Sequence, residues 1–161
     1  MSAPFRTGFA VSTPDDTSIV ATRRFAAPPD RVWRAHTEPE HLRRWLGSPE
    51  FPLTTCEMDV RVGGAYRWIF GDPGGPTMGV RGTFEEVARP GTLVSVEEFD
   101  DFPGPSHNTL ALAPDGDAAT ALTLTVRYAD RATRDAWVES GMTRGLSTGY
   151  DRLDIELGAL D

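Results

Sequence analysis

The chain has 161 residues, of which 39% are hydrophobic and 25% charged, a composition that favours one globular domain with a sizeable core. Its formal net charge of −8 argues against nucleic-acid binding, because phosphate contacts need a basic surface. All 16 basic residues are arginine, which excludes lysine-dependent chemistry such as Schiff-base formation or a P-loop.

The N-terminal segment, the single cysteine and the length of the apolar runs indicate where in the cell the protein is expected. Residues 1–16 mix Pro, Ser, Thr and Asp and lack the apolar segment of a signal peptide, so they are predicted to form a mobile segment before one domain over residues 17–161. Cys56 has no internal disulfide partner, which favours a reducing compartment, and we expect a cytoplasmic protein. No run approaches the roughly 20 apolar residues of a membrane span, so no membrane partner is expected.

The first part of this domain predicts one strand and two short helices. The β-branched run from Thr17 to Phe25 is typical of a strand, and Pro28 and Pro29 end it while favouring a helix start. From residue 30 the apolar residues recur at helical spacing, and the pattern breaks at Pro39 before it resumes.

After Gly47 the hydrophobic period changes from helical to alternating. Turn-forming residues separate short β-prone runs, which predicts an antiparallel meander joined by hairpins. The predicted strands cover residues 53–58, 65–70, 80–87, 93–99, 109–112 and 121–128. Alternation gives the sheet one apolar face, with Arg67, Arg81 and Arg127 on the other.

From Asp130 the apolar residues recur at three- and four-residue steps, which predicts a long C-terminal helix packed on the apolar face of the sheet. We expect this helix to run without interruption from Trp137 to Leu157. Gly141, Gly145 and Gly149 then form a bare stripe on one helix face. The stripe either leaves room for a ligand or permits close contact with the sheet or with another subunit.

Four motifs in successive elements resemble the family of activator-of-heat-shock-protein-90-ATPase-like proteins, within the START-related, birch-pollen-allergen-like (SRPBCC) superfamily. They are APPDRVWRAHTEPEHLRRWLG, EMDVRVGGAYRW, VRGTFEEVARPGTLV and ESGMTRGLSTGYDRL. The resemblance implies an α+β helix-grip fold, with a seven-stranded curved antiparallel sheet around a long C-terminal helix. It also implies a ligand cavity between the sheet and that helix. Where this family often has Gly-Trp, the chain has Gly145-Leu146, which is expected to enlarge the cavity.

Two motifs that suggest catalysis or metal binding have an ordinary structural interpretation. Residues 145–149 match the GxSxG nucleophile motif, but that motif needs a strained turn between a strand and a helix, and here Ser147 falls within the predicted helix. His36, His41 and His107 lack the spacing of a zinc-binding helix, so no metal site is predicted. His107 precedes a predicted strand and is either a polar group at the cavity mouth or an exposed loop residue.

The ligand-binding residues are chosen from the apolar face of the sheet and from the C-terminal helix. We expect the cavity to be lined by Tyr66, Trp68, Phe70, Phe84, His107, Met142, Gly145 and Leu146. No lysine or arginine is expected inside, so the ligand is predicted to be neutral rather than anionic. No cofactor and no catalytic residue are assigned.

Three functions remain open from the sequence. The first is the binding of an apolar or aromatic small molecule, such as a lipid or a polyketide, without required turnover. The second is a chaperone-associated interaction module, with a chaperone or a second copy of the chain as partner. The third is a cyclase or aromatase for a polyketide-like substrate, in which Tyr66, His107 or Glu97 moves protons.

Overall fold

The protein is represented by a computed structural model that describes residues 8–159, apart from the side chain of Pro103. One antiparallel sheet contains eight strands in the order β1-β2-β8-β7-β6-β5-β4-β3. The strands are β1 Ala10–Ser12, β2 Ser18–Phe25, β3 Leu53–Met58, β4 Ala65–Phe70, β5 Met78–Ala88, β6 Thr92–Phe99, β7 Phe102–Pro114 and β8 Thr120–Arg127. The helices are α1 Pro29–Thr37, α2 Pro39–Trp45, α3 Arg131–Glu139 and α4 Met142–Ala159.

This architecture is the predicted α+β helix-grip fold, with one strand more than expected. The strand predicted from Thr17 pairs with β8, so it belongs to the same sheet as the later strands. The additional strand, β1, lies in the segment that the sequence predicts to be mobile, where it pairs with β2 through Ala10–Ser12. Residues 1–7 of that predicted segment lie outside the described residues.

The two short helices follow β2 as predicted, and proline determines where each one begins. Pro29 and Pro39 occupy the first turns of α1 and α2, where a missing backbone N–H costs no hydrogen bond. Glu38 separates the helices in an extended conformation, as expected for the residue before a proline. The Trp45 indole N–H donates to the carbonyl of Ala35 over 2.8 Å, which joins α2 to α1.

The predicted uninterrupted C-terminal helix is wrong, because the chain breaks between Glu139 and Met142. Gly141 has a φ of 88°, a left-handed conformation that glycine adopts without steric cost. Asp130 caps the N-terminus of α3, and its side chain accepts from the Thr133 backbone N–H over 2.8 Å. The shorter helix α4 therefore packs on the core by itself, burying Tyr150, Leu153 and Leu157.

A buried arginine joins the sheet to α4. Arg23 lies on the inner face of β2, and its side chain is 1% exposed. It donates to Asp151 and Asp154, one helical turn apart on α4, over 3.0 Å in each case. The guanidinium also lies over the Phe25 ring, 5.1 Å from its centroid. Because a buried charge without partners is costly, these contacts determine where α4 sits on the sheet.

We expect the double substitution Asp151→Asn and Asp154→Asn to lower the free energy of unfolding by about 3 kcal/mol, since it leaves the buried Arg23 guanidinium without a counter-charge. Urea denaturation at pH 7 measures the change. Asp115→Asn is the matched control, because it removes the carboxylate of the exposed Arg24–Asp115 pair, where a loss below about 1 kcal/mol is expected. Equal effects at the two places would show that Arg23 does not need its partners.

Candidate functional site

A cavity of about 290 Å³ lies between the inner face of the sheet and the helices. Its walls are mostly apolar and aromatic, and they come from β3 to β8 and from all four helices. Six of the predicted residues line it. They are Tyr66, Trp68, Phe70, Phe84, Met142 and Leu146. The smaller leucine at position 146 thus borders the cavity, as the comparison with the Gly-Trp pattern predicts.

His107 does not line the cavity, so the prediction that it belongs to the cavity wall is wrong. Its Nε2 lies 3.0 Å from Glu85 Oε1. Along β7 the inward positions are Ser106, Asn108 and Leu110, and His107 alternates with them onto the outer face. β7 begins at Phe102, earlier than predicted, and this makes His107 part of the strand.

The glycine stripe does not line the cavity either. Gly141 lies between the helices, and Gly145 is exposed, so a Cβ atom added at position 145 would meet no neighbouring side chain within 4 Å. Only Gly149 is buried, where a Cβ atom would lie 3.9 Å from Trp45, a close contact between α4 and α2. The prediction that Gly145 lines the cavity is therefore wrong. Ser147 lies within α4, so it has no nucleophile-type turn.

A cluster of polar residues, which we call the polar wall, interrupts the apolar lining of the cavity. It consists of Tyr66, Ser95, Glu97, Ser106 and Asn108. The Tyr66 hydroxyl donates to Glu97 Oε1 over 2.8 Å and lies 3.2 Å from Ser95 Oγ. Ser106 and Asn108, on the neighbouring strand β7, line the same region. From the sequence, Glu97 is predicted only as a proton-transferring group of a cyclase, and no motif singles out Ser95, Ser106 or Asn108.

A glycine makes this arrangement possible. Gly82 on β5 pairs with Tyr66 on β4 and with Glu97 on β6, so it lies between the two side chains. A Cβ atom at position 82 would lie 2.2 Å from Tyr66 Cζ, so the phenol ring crosses β5 in the space that a side chain would fill. A glycine inside a predicted strand is the sequence signal that indicates such a close approach.

The environment changes the acidity of the two partners. Burial raises the pKa of Glu97 above its usual value, while hydrogen bonds from Tyr66 and Asn108 act in the opposite direction. Burial and the nearby Glu97 charge raise the pKa of Tyr66, and the same two causes raise the pKa of Tyr128 on β8. No arginine lines the cavity within the described residues, so no fixed cation compensates Glu97 there.

Two buried polar atoms of cavity residues have no hydrogen-bond partner among residues 8–159. They are Asn108 Oδ1, an acceptor, and Trp68 Nε1, a donor. A buried polar atom without a partner costs free energy, on the order of 1–3 kcal/mol. The polar wall is therefore an incompletely satisfied part of the core.

His36 is the other titratable group of note in the wall. Its Nδ1 lies 2.7 Å from the Val32 carbonyl oxygen, and its ring contacts Trp45 edge-on at a centroid distance of 5.0 Å. The carbonyl can only accept, so Nδ1 carries the proton and Nε2 is the acceptor. Burial lowers the pKa of His36 to about 4, and the Val32 hydrogen bond opposes this only partly.

The remaining histidine, His41, links α2 to α4. Its Nδ1 lies 3.0 Å from Glu156 Oε2, and its Nε2 lies 3.2 Å from Glu38 Oε1. Glu38, Glu40 and His41 are grouped closely enough to hold a metal ion, but both ring nitrogens of His41 are already engaged with carboxylates. The arrangement is that of a polar contact between helices.

A family model described as "Activator of Hsp90 ATPase homolog 1-like protein" matches residues 26–158. The chain belongs to this family. The match covers the two short helices, β3 to β8 and nearly all of α4. Membership agrees with the resemblance found in the sequence and with the ligand-binding helix-grip fold of its structure. No functionally curated protein matches the chain.

Solved structures of similar proteins share this fold. A crystal structure of a protein from Rhodobacter sphaeroides has 32% sequence identity and a TM-score of 0.89, covering 94% of this chain and 99% of the other. Protein Ms6760 from Mycobacterium smegmatis has 24% identity and a TM-score of 0.81, covering 91% and 94%. CalU16 from Micromonospora echinospora has 25% identity and a TM-score of 0.63, covering 93% and 83%. Within the described part of the chain, none of the helices is long and apolar enough to cross a membrane.

We expect Gly82→Ala to lower the free energy of unfolding by about 1–3 kcal/mol, because the added methyl group must displace the Tyr66 ring. Chemical denaturation measures it. Gly145→Ala is the control: its methyl group meets no neighbour, and the better helix propensity of alanine is expected to stabilise by up to about 1 kcal/mol. If Gly82→Ala unfolds with as high a free energy as Gly145→Ala, the close approach of the Tyr66 ring to Gly82 is contradicted.

His36 is expected to make the fold sensitive to acid. The pKa falls from the usual 6.5 in the unfolded chain to about 4 in the folded protein, so only the unfolded chain takes up a proton between these values. This contribution to stability is complete above pH 6.5 and is lost as the pH falls towards 4, by about 3 kcal/mol in total. His36→Leu should show a smaller loss over that range in melts at several pH values. Parallel curves for the two proteins would contradict the pKa assignment.

Proposed function

We propose that this protein binds a small apolar or aromatic molecule in the cavity between the sheet and the C-terminal helices. The observation that carries the proposal is the cavity itself: about 290 Å³ of space within a well-formed domain, enclosed by aromatic and aliphatic side chains. Closely packed interiors contain few voids of this size, and apolar cavities with a few polar groups are typical ligand sites. Membership of a family with a ligand-binding fold supports the same function.

The polar wall supports a second candidate, a cyclase-like or related enzyme that moves protons on a bound polyketide-like substrate. A carboxyl group with a raised pKa, hydrogen-bonded to a phenol inside an apolar cavity, is an arrangement suited to general acid–base chemistry. Tyr66 and Glu97 are then the proton-transferring groups. Binding without turnover remains our first proposal, because it requires only the cavity.

The support for a chaperone-associated role is the description of the family model, which names an activator of the Hsp90 ATPase. Large apolar side chains are exposed among the described residues at five places along the chain. They are Val11, Val62, Phe102, Val138 and Ile155.

A reducing compartment, the cytoplasm, is our proposed location, since Cys56 is buried and unpaired.

The test of ligand binding uses N-phenyl-1-naphthylamine, a neutral fluorescent probe, with the wild type, Leu146→Trp and Gly145→Ala. We expect Leu146→Trp to weaken probe binding by about tenfold or more, because the larger ring occupies the cavity. Gly145→Ala should bind the probe as the wild type does, since position 145 faces away from the cavity. Absence of binding to the wild type, or equal affinity in all three proteins, would overturn the proposal.

A further inference from the structure

The polar residues of the cavity wall favour one chemical class of ligand, a preference that the apolar residues alone would not produce. Glu97 places a carboxyl group in the cavity, and Asn108 Oδ1 is a buried acceptor with no partner among the described residues. The donors beside them are the Tyr66 hydroxyl and the Asn108 amide, which already serve Glu97, the Ser95 and Ser106 hydroxyls, which can also accept, and Trp68 Nε1, a buried donor without a partner among the described residues. The Glu97 carboxyl group and the free Asn108 oxygen therefore offer a ligand two groups that accept hydrogen bonds.

The charge at this wall is also uncompensated from within the protein. Arg67 and Arg81, the arginines of the adjoining strands, point to the outer face, where they pair with Asp100 and Glu98. The cavity lining contains no arginine among the described residues, and its histidine, His36, is neutral at pH 7 because its pKa lies near 4. A carboxylate in such surroundings is stabilised by a cation or by a hydrogen-bond donor that the ligand brings.

Aromatic side chains around the carboxyl group add to the same preference. The ring centroids of Tyr66 and Trp68 lie 4.8 Å apart and those of Tyr66 and Phe84 lie 5.0 Å apart, so a group bound beside Glu97 lies close to a cluster of aromatic rings. The faces of aromatic rings attract cations and repel anions. Carboxylate, free acceptor and ring faces all favour a positively charged group with N–H donors.

From this arrangement we infer that the cavity is selective for apolar amines, with the ammonium group of the ligand paired to Glu97 and its aromatic or aliphatic body against the apolar wall. The inference rests on the proposed ligand-binding function and specifies the chemical class of the ligand. It also refines the prediction of a neutral ligand: anions remain excluded, and cations are preferred to neutral molecules of the same shape.

The test compares 1-naphthylmethylamine, a cation at pH 7.5, with its neutral counterpart 1-naphthylmethanol by isothermal titration calorimetry. We expect the wild type to bind the amine about tenfold or more tightly than the alcohol, a difference of about 1.4 kcal/mol. Glu97→Gln should remove this preference, so that the ratio of amine affinity to alcohol affinity falls to within about threefold of one. Circular dichroism and a thermal melt establish that the variant is folded.

Glu98→Gln is the matched control. It removes the same unit of negative charge from the adjacent residue, but Glu98 faces outwards and pairs with Arg81, so amine selectivity should be retained. A loss of selectivity in both variants would assign it to overall charge and overturn the inference. Equal affinity of the wild type for amine and alcohol also overturns it, while leaving ligand binding intact. Failure of both compounds to bind would overturn the proposed function as well.

The pH dependence provides an independent measurement. The titratable groups that line the cavity beside Glu97 are Tyr66 from β4, Tyr128 from β8, His36 from α1 and Tyr150 from α4. The three tyrosine pKa values are raised and that of His36 lies near 4, so none of these groups changes charge between pH 5 and 8. Amine affinity should therefore fall on acidification as Glu97 takes up a proton, and alcohol affinity should stay constant. An amine affinity that falls on acidification as steeply in Glu97→Gln as in the wild type would contradict the ion pair.

Discussion

The buried guanidinium of Arg23 is the constraint on which the arrangement of sheet and helix depends. Because a buried charge must keep its counter-charges, Asp151 and Asp154 hold α4 against the inner face of β2. On its other side α4 packs against α2, where Tyr150 stacks on Trp45 at a centroid distance of 6.0 Å. The helix is thus fixed at one edge of the sheet, and it does not fill the concave space over the central strands.

The cavity is a consequence of that placement and of the break at Gly141. Once the chain leaves α3, α4 takes its own direction, and Met142, Leu146 and Tyr150 border the open space without occupying it. α3 contributes Trp137 to the cavity wall. The ring centroids of Trp137 and Phe99 lie 4.8 Å apart, and both residues line the cavity. An interior that is otherwise closely packed therefore retains room for a molecule of moderate size.

The chemistry of the cavity belongs to this chain and does not follow from its fold. Proteins with the same helix-grip architecture take part in different functions, because function depends on the side chains that the fold presents. In this chain the arrangement depends on Gly82. Because Gly82 has no side chain, a tyrosine from β4 can extend across β5 to a glutamate on β6. The result is a hydrogen-bonded carboxyl group in an apolar space, on which both the proposed preference for amines and the proposed proton transfer depend.

The sequence by itself determined the class of fold and most of the apolar wall. Alternation along the strands placed Tyr66, Trp68 and Phe70 on one face, and a period of two is sufficient to separate the faces of a regular strand. Proline and glycine marked the helix starts and the hairpins, since their backbone restrictions are local. For the same reason the family resemblance could be read from ordered local motifs.

The tertiary structure decided which polar residues meet. His107 was misplaced because its face depends on where β7 begins; continued alternation back from Leu110 puts Ser106 and Asn108 inside and His107 outside. The glycines at 141, 145 and 149 share a stripe only in an unbroken helix, and Gly141 ends that regularity. Tyr66, Gly82 and Glu97 are distant in sequence, and only the pairing of three strands brings them together. Local patterns carry no information on strand register, so such a site emerges only when the sheet has formed.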